Sequence, residues 1–230
     1  MTTKNQLISS LKKSDSMKRI IIYLAKFFFY KLKNVRLSNS KMGYHKNINE
    51  SGSKLKVHIG CGEIQLVGWV NIDARPLPHV HLVSESLELD EFSDGSIGEI
   101  YLSHVLEHLS FEEVNNFLEK MHQKIAVGGV LRISVPDFET IVTIYLENDR
   151  SINSVKYALM GGQDYEFNFH KSVYNHKSLE NLLLNAGFTV IENWNTEEVF
   201  GADIGDWSNK TFLTVGGEHQ ISLNLSGKKK

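Results

Sequence analysis

Leu55-Lys56-Val57-His58-Ile59-Gly60-Cys61-Gly62, followed by Gly68-Trp69-Val70-Asn71-Ile72-Asp73, decides how the chain is read. Residues 55–59 form a short apolar, β-branched run stopped by glycine, which is how a strand is punctuated. The strand runs into Gly60-Cys61-Gly62, so bare backbone lies at its carboxyl end. Open α/β sheets bind ligands at that edge. Glycine there admits positive φ and lets a ligand come close to the main chain. A second strand over 69–73 ends in Asp73, a carboxylate able to accept hydrogen bonds from both hydroxyls of a ribose. The same residues also fit a purely structural role, as a tight glycine turn with a strand-end cap.

Working outward, the pattern alternates. Residues 80–83 read as a third strand. A fourth, over 99–103, follows the turn signal Ser93-Asp94-Gly95. Ser110 and Glu113 make a capping box ahead of a helix whose apolar face is Val114, Phe117, Leu118, Met121 and Ile125. Gly128-Gly129 reads as its C-cap. Residues 130–135 form a continuous buried-type strand closed by Pro136. Helices are expected over 138–146 and 155–160, and another through Leu179, Leu182, Leu183 and Ala186, stopped by Gly187. Strands over 188–194 and 221–225 complete the pattern, and the terminal Gly227-Lys228-Lys229-Lys230 reads as a frayed tail. Strands alternating with helices predict an α/β domain with a mostly parallel sheet.

Spacing separates the nucleotide classes. A dinucleotide fingerprint needs three glycines opening a helix onto a pyrophosphate. Only five residues separate Gly62 from Gly68, so a full helix does not fit, and no third glycine or phosphate-loop lysine follows. A ligand with a ribose and no pyrophosphate is favoured.

Here the chain resembles class I S-adenosylmethionine-dependent methyltransferases. Residues 57–62 look like their first motif, and 68–73 resemble the second strand of a small bacterial branch often associated with surface-polysaccharide synthesis. Asp94-Gly95-Ser96-Ile97 with Ser103-His104-Val105-Leu106-Glu107-His108-Leu109 is similar to the fourth-strand motif. Residues 128–137 resemble the fifth, and 179–188 the late helix ending in Ala-Gly-Phe. The resemblance implies a Rossmann-like, mostly parallel seven-stranded sheet flanked by helices, with the last strand antiparallel. It implies S-adenosylmethionine as cofactor, its methionine part backed by Gly60, Cys61 and Gly62 and its ribose held by Asp73. Ser103 and His104 would border it. Where many members carry an aspartate near the adenine amino group, this chain reads Ser84-Glu85-Ser86. Either Glu85 stands in, or backbone and Leu87 hold the adenine.

An activated sulfonium asks the protein mainly to position the acceptor. A hydroxyl acceptor also needs a base, and histidine is the usual one. His104 follows the fourth strand, at the edge where the acceptor belongs, and Glu107 and His108 fall three and four residues on. His108 also fits a packing or capping role. Gly161-Gly162-Gln163-Asp164-Tyr165-Glu166-Phe167-Asn168-Phe169-His170-Lys171 suits a loop that closes over a ligand. His170 is the leading candidate for a base or acceptor-orienting residue, with a loop-anchoring role as the alternative. His104, Glu107, Gln163, Tyr165 and His170 form the expected acceptor side. No metal site is expected: His79 and His81, near Glu85 and Asp90, read as a polar loop. Asp203, Asp206 and Trp207 sit in a late loop that shapes either the acceptor pocket or a dimer contact.

Composition limits the rest. With 41% hydrophobic and 23% charged residues the chain is an ordinary globular one, and a net charge of −2 argues against coating nucleic acid. The single cysteine excludes an intramolecular disulfide and suits a reducing cytoplasm. A methyltransferase domain is expected over 54–230, preceded by an extension over 1–53. In that extension residues 17–36 form a basic amphipathic stretch, too short and too charged to span a bilayer. It would either lie on an anionic membrane surface, such as the inner membrane, or pack on the protein body or a second subunit of a homodimer. The expected acceptor is a small molecule, a sugar, nucleotide-sugar or glycan, methylated on oxygen. Nucleic-acid or protein methylation is disfavoured by charge and by the lack of an Asn-Pro-Pro-Tyr-type motif. A non-catalytic scaffold that keeps the fold is the remaining alternative.

Overall fold

The structure is a computed structural model that describes residues 54–85, 87 and 89–230. The extension over 1–53, with its basic stretch 17–36, lies outside the described residues. The strands are β1 (Leu55–Ile59), β2 (Val70–Asp73), β3 (Leu82–Val83), β4 (Ile97–Ser103), β5 (Ile125–Pro136), β6 (Thr189–Asn193), β7 (Thr211–Thr214), β8 (Gly217–Gln220) and β9 (Ser222–Lys228). The helices are α1 (Phe111–Lys124), α2 (Phe138–Glu147), α3 (Ile152–Met160), α4 (His176–Asn185) and α5 (Thr196–Phe200), with a 3-10 turn over Leu106–His108.

Seven strands form one sheet in the order β3-β2-β1-β4-β5-β9-β6. Only β9 runs antiparallel to its neighbours, β5 and β6. This is the mixed, Rossmann-like sheet expected. Its centre is apolar because it is covered on both faces: Val57, Ile59, Ile72, Ile100, Leu102, Leu131 and Ile133 are fully buried. The order reverses between β1 and β4, so the carboxyl ends of these two strands flank a topological switch point.

Local chemistry fixes the frame around that point. Ser110 and Glu113 form the capping box, and α1 buries Val114, Phe117, Leu118 and Met121. The helix ends earlier than the glycines suggested. Ile125 already has ψ 137° and pairs with Ile97, so the chain turns from helix into β5 at once. Gly128 and Gly129 instead sit in a bulge of β5, where a Cβ on Gly129 would come within 2.8 Å of the Gly98 carbonyl. The C-terminus is not frayed. Gly227 and Lys228 lie in β9, the Lys229 amide donates to the Gly129 carbonyl (3.0 Å), and Lys229 Nζ donates to the His122 carbonyl at the end of α1 (2.7 Å). The β7–β8 hairpin was not foreseen.

Candidate active site

The switch point opens into a cavity of about 910 Å³. One end is the β1–β2 corner. Gly60 and Gly62 have φ of +62° and +53°. A Cβ on Gly60 would stand 2.3 Å from Val105 Cγ2, so only glycine keeps this floor open. The Gly62 amide donates to Asp73 Oδ2 (2.7 Å), and the Arg75 amide and Nε donate to Oδ1 (2.8 and 3.1 Å). Asp73 is 6% exposed and lines the cavity. Three donors leave part of its acceptor capacity free, since a carboxylate offers about four lone-pair positions. Cys61 is buried behind the loop, and burial, with Asp73 nearby, pushes its thiol up to about 12. It is therefore a packed thiol and not a nucleophile. Glu85 and Leu87 lie further along the same lining.

The other end is built on the carboxyl end of β4 and the segment after α3. Ser103 and His104 line it. His104 adopts φ +54°, a conformation that side chains other than glycine hold at a cost, and its amide donates to the Ser134 carbonyl (2.9 Å). Its Nε2 lies 2.8 Å from Ser222 Oγ, while Nδ1 lies 3.1 Å from Glu107 Oε1. His170 anchors Nδ1 on the Ala158 carbonyl (3.0 Å) and places Nε2 3.9 Å from Glu107 Oε1. Burial, outweighing the pull of Glu107, lowers the His170 pKa below its ordinary value, so the ring is neutral near pH 7. Tyr165 lines the cavity, and its ring lies 5.3 Å under the Arg75 guanidinium, linking the 161–171 loop to the Asp73 corner.

Two residues expected on the acceptor side lie off the cavity lining. Glu107 is 1% exposed and lies behind the wall, not on it. Its carboxylate faces the histidines. Burial would raise its pKa, but His104, His108 and His170 together bring it below the usual value. Its carbonyl accepts the Lys171 and Ser172 amides (2.8 and 3.1 Å), which ties the loop down. Gln163 is exposed, with φ +55°; its Nε2 turns back to the Met160 carbonyl (3.3 Å) and it is not in the lining.

The reading from sequence missed Arg75, whose position two residues after Asp73 was its only signal, and Phe212 of the hairpin. Of the late loop, Asp206 and Trp207 reach the cavity, whereas Asp203 accepts the Gly205 amide at the surface. Asp206 accepts from Tyr101 Oη and from the Ser208 amide and hydroxyl, so it is a structural anchor as much as a lining group. His79 and His81 are likewise spoken for: His79 Nε2 donates to the Gly62 carbonyl (2.9 Å), and His81 Nδ1 accepts the Asn71 amide (2.9 Å).

A doubly wound sheet, an open glycine corner beside a strand-end carboxylate, and a histidine-lined second half define the class of the fold and site. The sequence profile of a methyltransferase-domain family matches residues 51–193, more than half the chain, and the chain belongs to that family. It is a methyltransferase. No curated protein is significantly similar to it in sequence. Among solved structures, it is similar to an S-adenosylmethionine-dependent methyltransferase from Archaeoglobus fulgidus at 18% identity (84% of this chain, 94% of that one, TM-score 0.48). A second, from Thermotoga maritima, is 14% identical (77% and 83%, TM-score 0.48). A third, from Mesorhizobium loti, is 15% identical (76% and 90%, TM-score 0.41). No helix among the described residues is long and apolar enough to cross a membrane.

Proposed function

We propose that the enzyme methylates a hydroxyl of a sugar, nucleotide-sugar or glycan-type acceptor, with His104 as the base. The observation that carries the reading is the two-ended cavity. About 910 Å³ approaches the upper range for small-molecule sites, enough for a cofactor and a sugar-sized acceptor side by side. The donor set at one end fits S-adenosylmethionine: Gly60 and Gly62 keep the floor clear of side chains, Asp73 retains acceptor capacity for a ribose, and Glu85 and Leu87 border the adenine position. Bound there, the cofactor supplies an electrophilic methyl on a sulfonium.

The other end fits a polyhydroxylated acceptor. Trp207 and Tyr165 offer flat apolar faces among polar groups, the mixture that grips a sugar ring. The buried Glu107 carboxylate beside Nδ1 orients His104 as a carboxylate orients the histidine of a hydrolase triad. In the structure Ser222 Oγ donates to the Trp207 carbonyl and so accepts from His104 Nε2. An acceptor hydroxyl would displace Ser222 from that nitrogen, which would then take the hydroxyl proton while the acceptor oxygen bonds the methyl carbon and the carbon–sulfur bond breaks, leaving S-adenosylhomocysteine. His170, whose Nε2 lies 3.9 Å from the same Glu107 oxygen, orients the acceptor. Residues 17–36 would hold the enzyme at an anionic membrane surface where lipid-linked glycans are built, or join two subunits.

The test is incubation of the purified protein with methyl-labelled S-adenosylmethionine and a panel of nucleotide sugars and lipid-linked glycans, read by mass spectrometry. A gain of one methyl on an acceptor oxygen is the expected result. Methylation confined to protein or nucleic acid, or cofactor binding without turnover on any glycan, overturns the reading.

A further inference from the structure

We propose that Glu107, His108 and His170 form a site for a first-row transition dication in the cavity wall. No metal signature is legible along the chain, because His170 lies far from the Glu107-His108 pair. The fold brings them together: one ligand atom from each lies within 4.8 Å of the other two. The rings of His108 and His170 meet edge to face at 4.9 Å.

The hydrogen bonds decide which nitrogens are available. His108 Nδ1 lies 3.1 Å from the Phe169 carbonyl, and His170 Nδ1 lies 3.0 Å from the Ala158 carbonyl. A carbonyl only accepts, so both Nδ1 atoms carry the proton. Nε2 of each ring is then the nitrogen left for a ligand. Metal-bound histidines are held in this way, the second nitrogen anchored on a carbonyl that fixes the tautomer.

Glu107 is the independent observation. It is buried, and neither carboxylate oxygen makes a hydrogen bond of acceptable geometry. His104 Nδ1 stands 3.1 Å from Oε1, but nothing serves Oε2. A buried carboxylate with His104 Nδ1 near one oxygen and nothing on the other is costly, and it asks for a further cation. Ligand atoms around a single ion with bonds of about 2.1 Å lie roughly 3–4 Å apart, so shifts on the order of 1 Å complete the shell.

Two imidazoles and a carboxylate suit Zn²⁺, Mn²⁺ or Fe²⁺ better than Mg²⁺ or Ca²⁺, which prefer oxygen throughout. Three protein ligands leave coordination positions open, and His108 and His170 both face the cavity. An ion there would hold the acceptor oxygen and lower its pKa, leaving His104 to take the proton. That catalytic role rests on the proposed acceptor chemistry; the binding of the ion does not.

The experiment needs no acceptor. Tag-free full-length protein is stripped with chelator, loaded with Zn²⁺ or Mn²⁺, dialysed, and its metal content read by plasma mass spectrometry, with Co²⁺ absorption as a spectroscopic check. The expected result is close to one ion per chain, at least a tenfold lower content in His108→Ala and Glu107→Gln, and a metal-dependent rise in Tm in the wild type alone. The less buried His108 is the variant that separates ligation from folding. Metal content below a tenth of an equivalent in the wild type, or undiminished in His108→Ala and His170→Ala, overturns the site. Either failure leaves the methyl-transfer proposal standing, since that is read on acceptor products.

Discussion

The Gly62 amide donates a 2.7 Å hydrogen bond to Asp73 Oδ2 and so locks the loop after β1 to the end of β2. The carboxylate is thus held in place before any ligand arrives. Pre-organisation of this kind reduces the ordering cost of binding. Asp73→Ala removes both the proposed ribose acceptor and the strut for the loop. It is expected to weaken S-adenosylhomocysteine binding by roughly 1–3 kcal/mol, the usual cost of losing hydrogen bonds to a charged group. Calorimetric titration checks this, and an unchanged Kd removes Asp73 from the cofactor site.

Gly60 makes a steric prediction. A methyl there collides with Val105 Cγ2 at 2.3 Å, at a backbone φ of +62°. Overpacking costs about 1–3 kcal/mol, and the left-handed conformation about 1–2 kcal/mol for a residue with a Cβ. Gly60→Ala should therefore lose both amounts in urea unfolding. Gly60→Ala with Val105→Ala should recover part of the overpacking share and none of the backbone share. Equal stability of single and double variants would mean that the Val105 contact does not set the floor.

These corners were legible because they are local. A glycine pair after an apolar run, and Ser110 with Glu113 three residues on, act within one turn of chain, so the sequence carries the whole cause. The end of α1 was not legible. Gly128-Gly129 looks like a helix stop, but pairing of Ile125 with Ile97 captures the chain first, and that partner lies 28 residues back. The terminal lysines looked frayed because charge reads as solvent, yet β9 is held on both sides by β5 and β6. The hairpin escaped because Phe212 and Leu213 are exposed, which breaks the in–out alternation that marks a strand. His104, Glu107 and His108 were grouped by their spacing of three and four residues, and the contact of His104 with Glu107 follows that spacing. That His170 meets the same buried carboxylate is a product of tertiary packing, and no spacing rule encodes it.

His58 gives a pH prediction. Burial, only partly offset by Asn71, pushes its imidazole from the ordinary 6.5 down to about 4. Below pH 6.5 the unfolded chain therefore takes up a proton that the native state refuses until about pH 4. Stability is full above 6.5 and falls as pH drops through that window, by on the order of 3 kcal/mol from this residue. His122 and His170 are shifted down as well and act in the same direction, whereas the lowered Glu107 acts only below its ordinary 4.5. His58 stacks on Tyr101 at 5.1 Å, so His58→Phe keeps the packing. Urea unfolding at pH 7 and pH 5 should show a smaller acid loss in His58→Phe than in the wild type. The same loss in both would assign the acid sensitivity to other groups.

His104 separates chemistry from binding. Its Nδ1 lies 3.1 Å from Glu107 and its Nε2 2.8 Å from Ser222 Oγ, so neither ring nitrogen bonds the Gly60–Asp73 corner. As the base it acts only while the proton moves, so its loss should fall on turnover: roughly 10²–10⁴-fold in kcat for His104→Ala. Cofactor affinity should stay within a few-fold, because no bond of the Asp73 corner depends on it. The strained φ of +54° complicates a single substitution, since alanine tolerates that conformation less well than asparagine. His104→Asn keeps a short polar side chain suited to the backbone and removes the proton acceptor, so it should fold better than His104→Ala and be equally slow. Two variants with the same low kcat and different stabilities would assign the imidazole to the reaction. A kcat that instead tracks stability, or a loss of S-adenosylhomocysteine binding as large as the loss of turnover, would make His104 a structural residue and leave the base to be sought at His170.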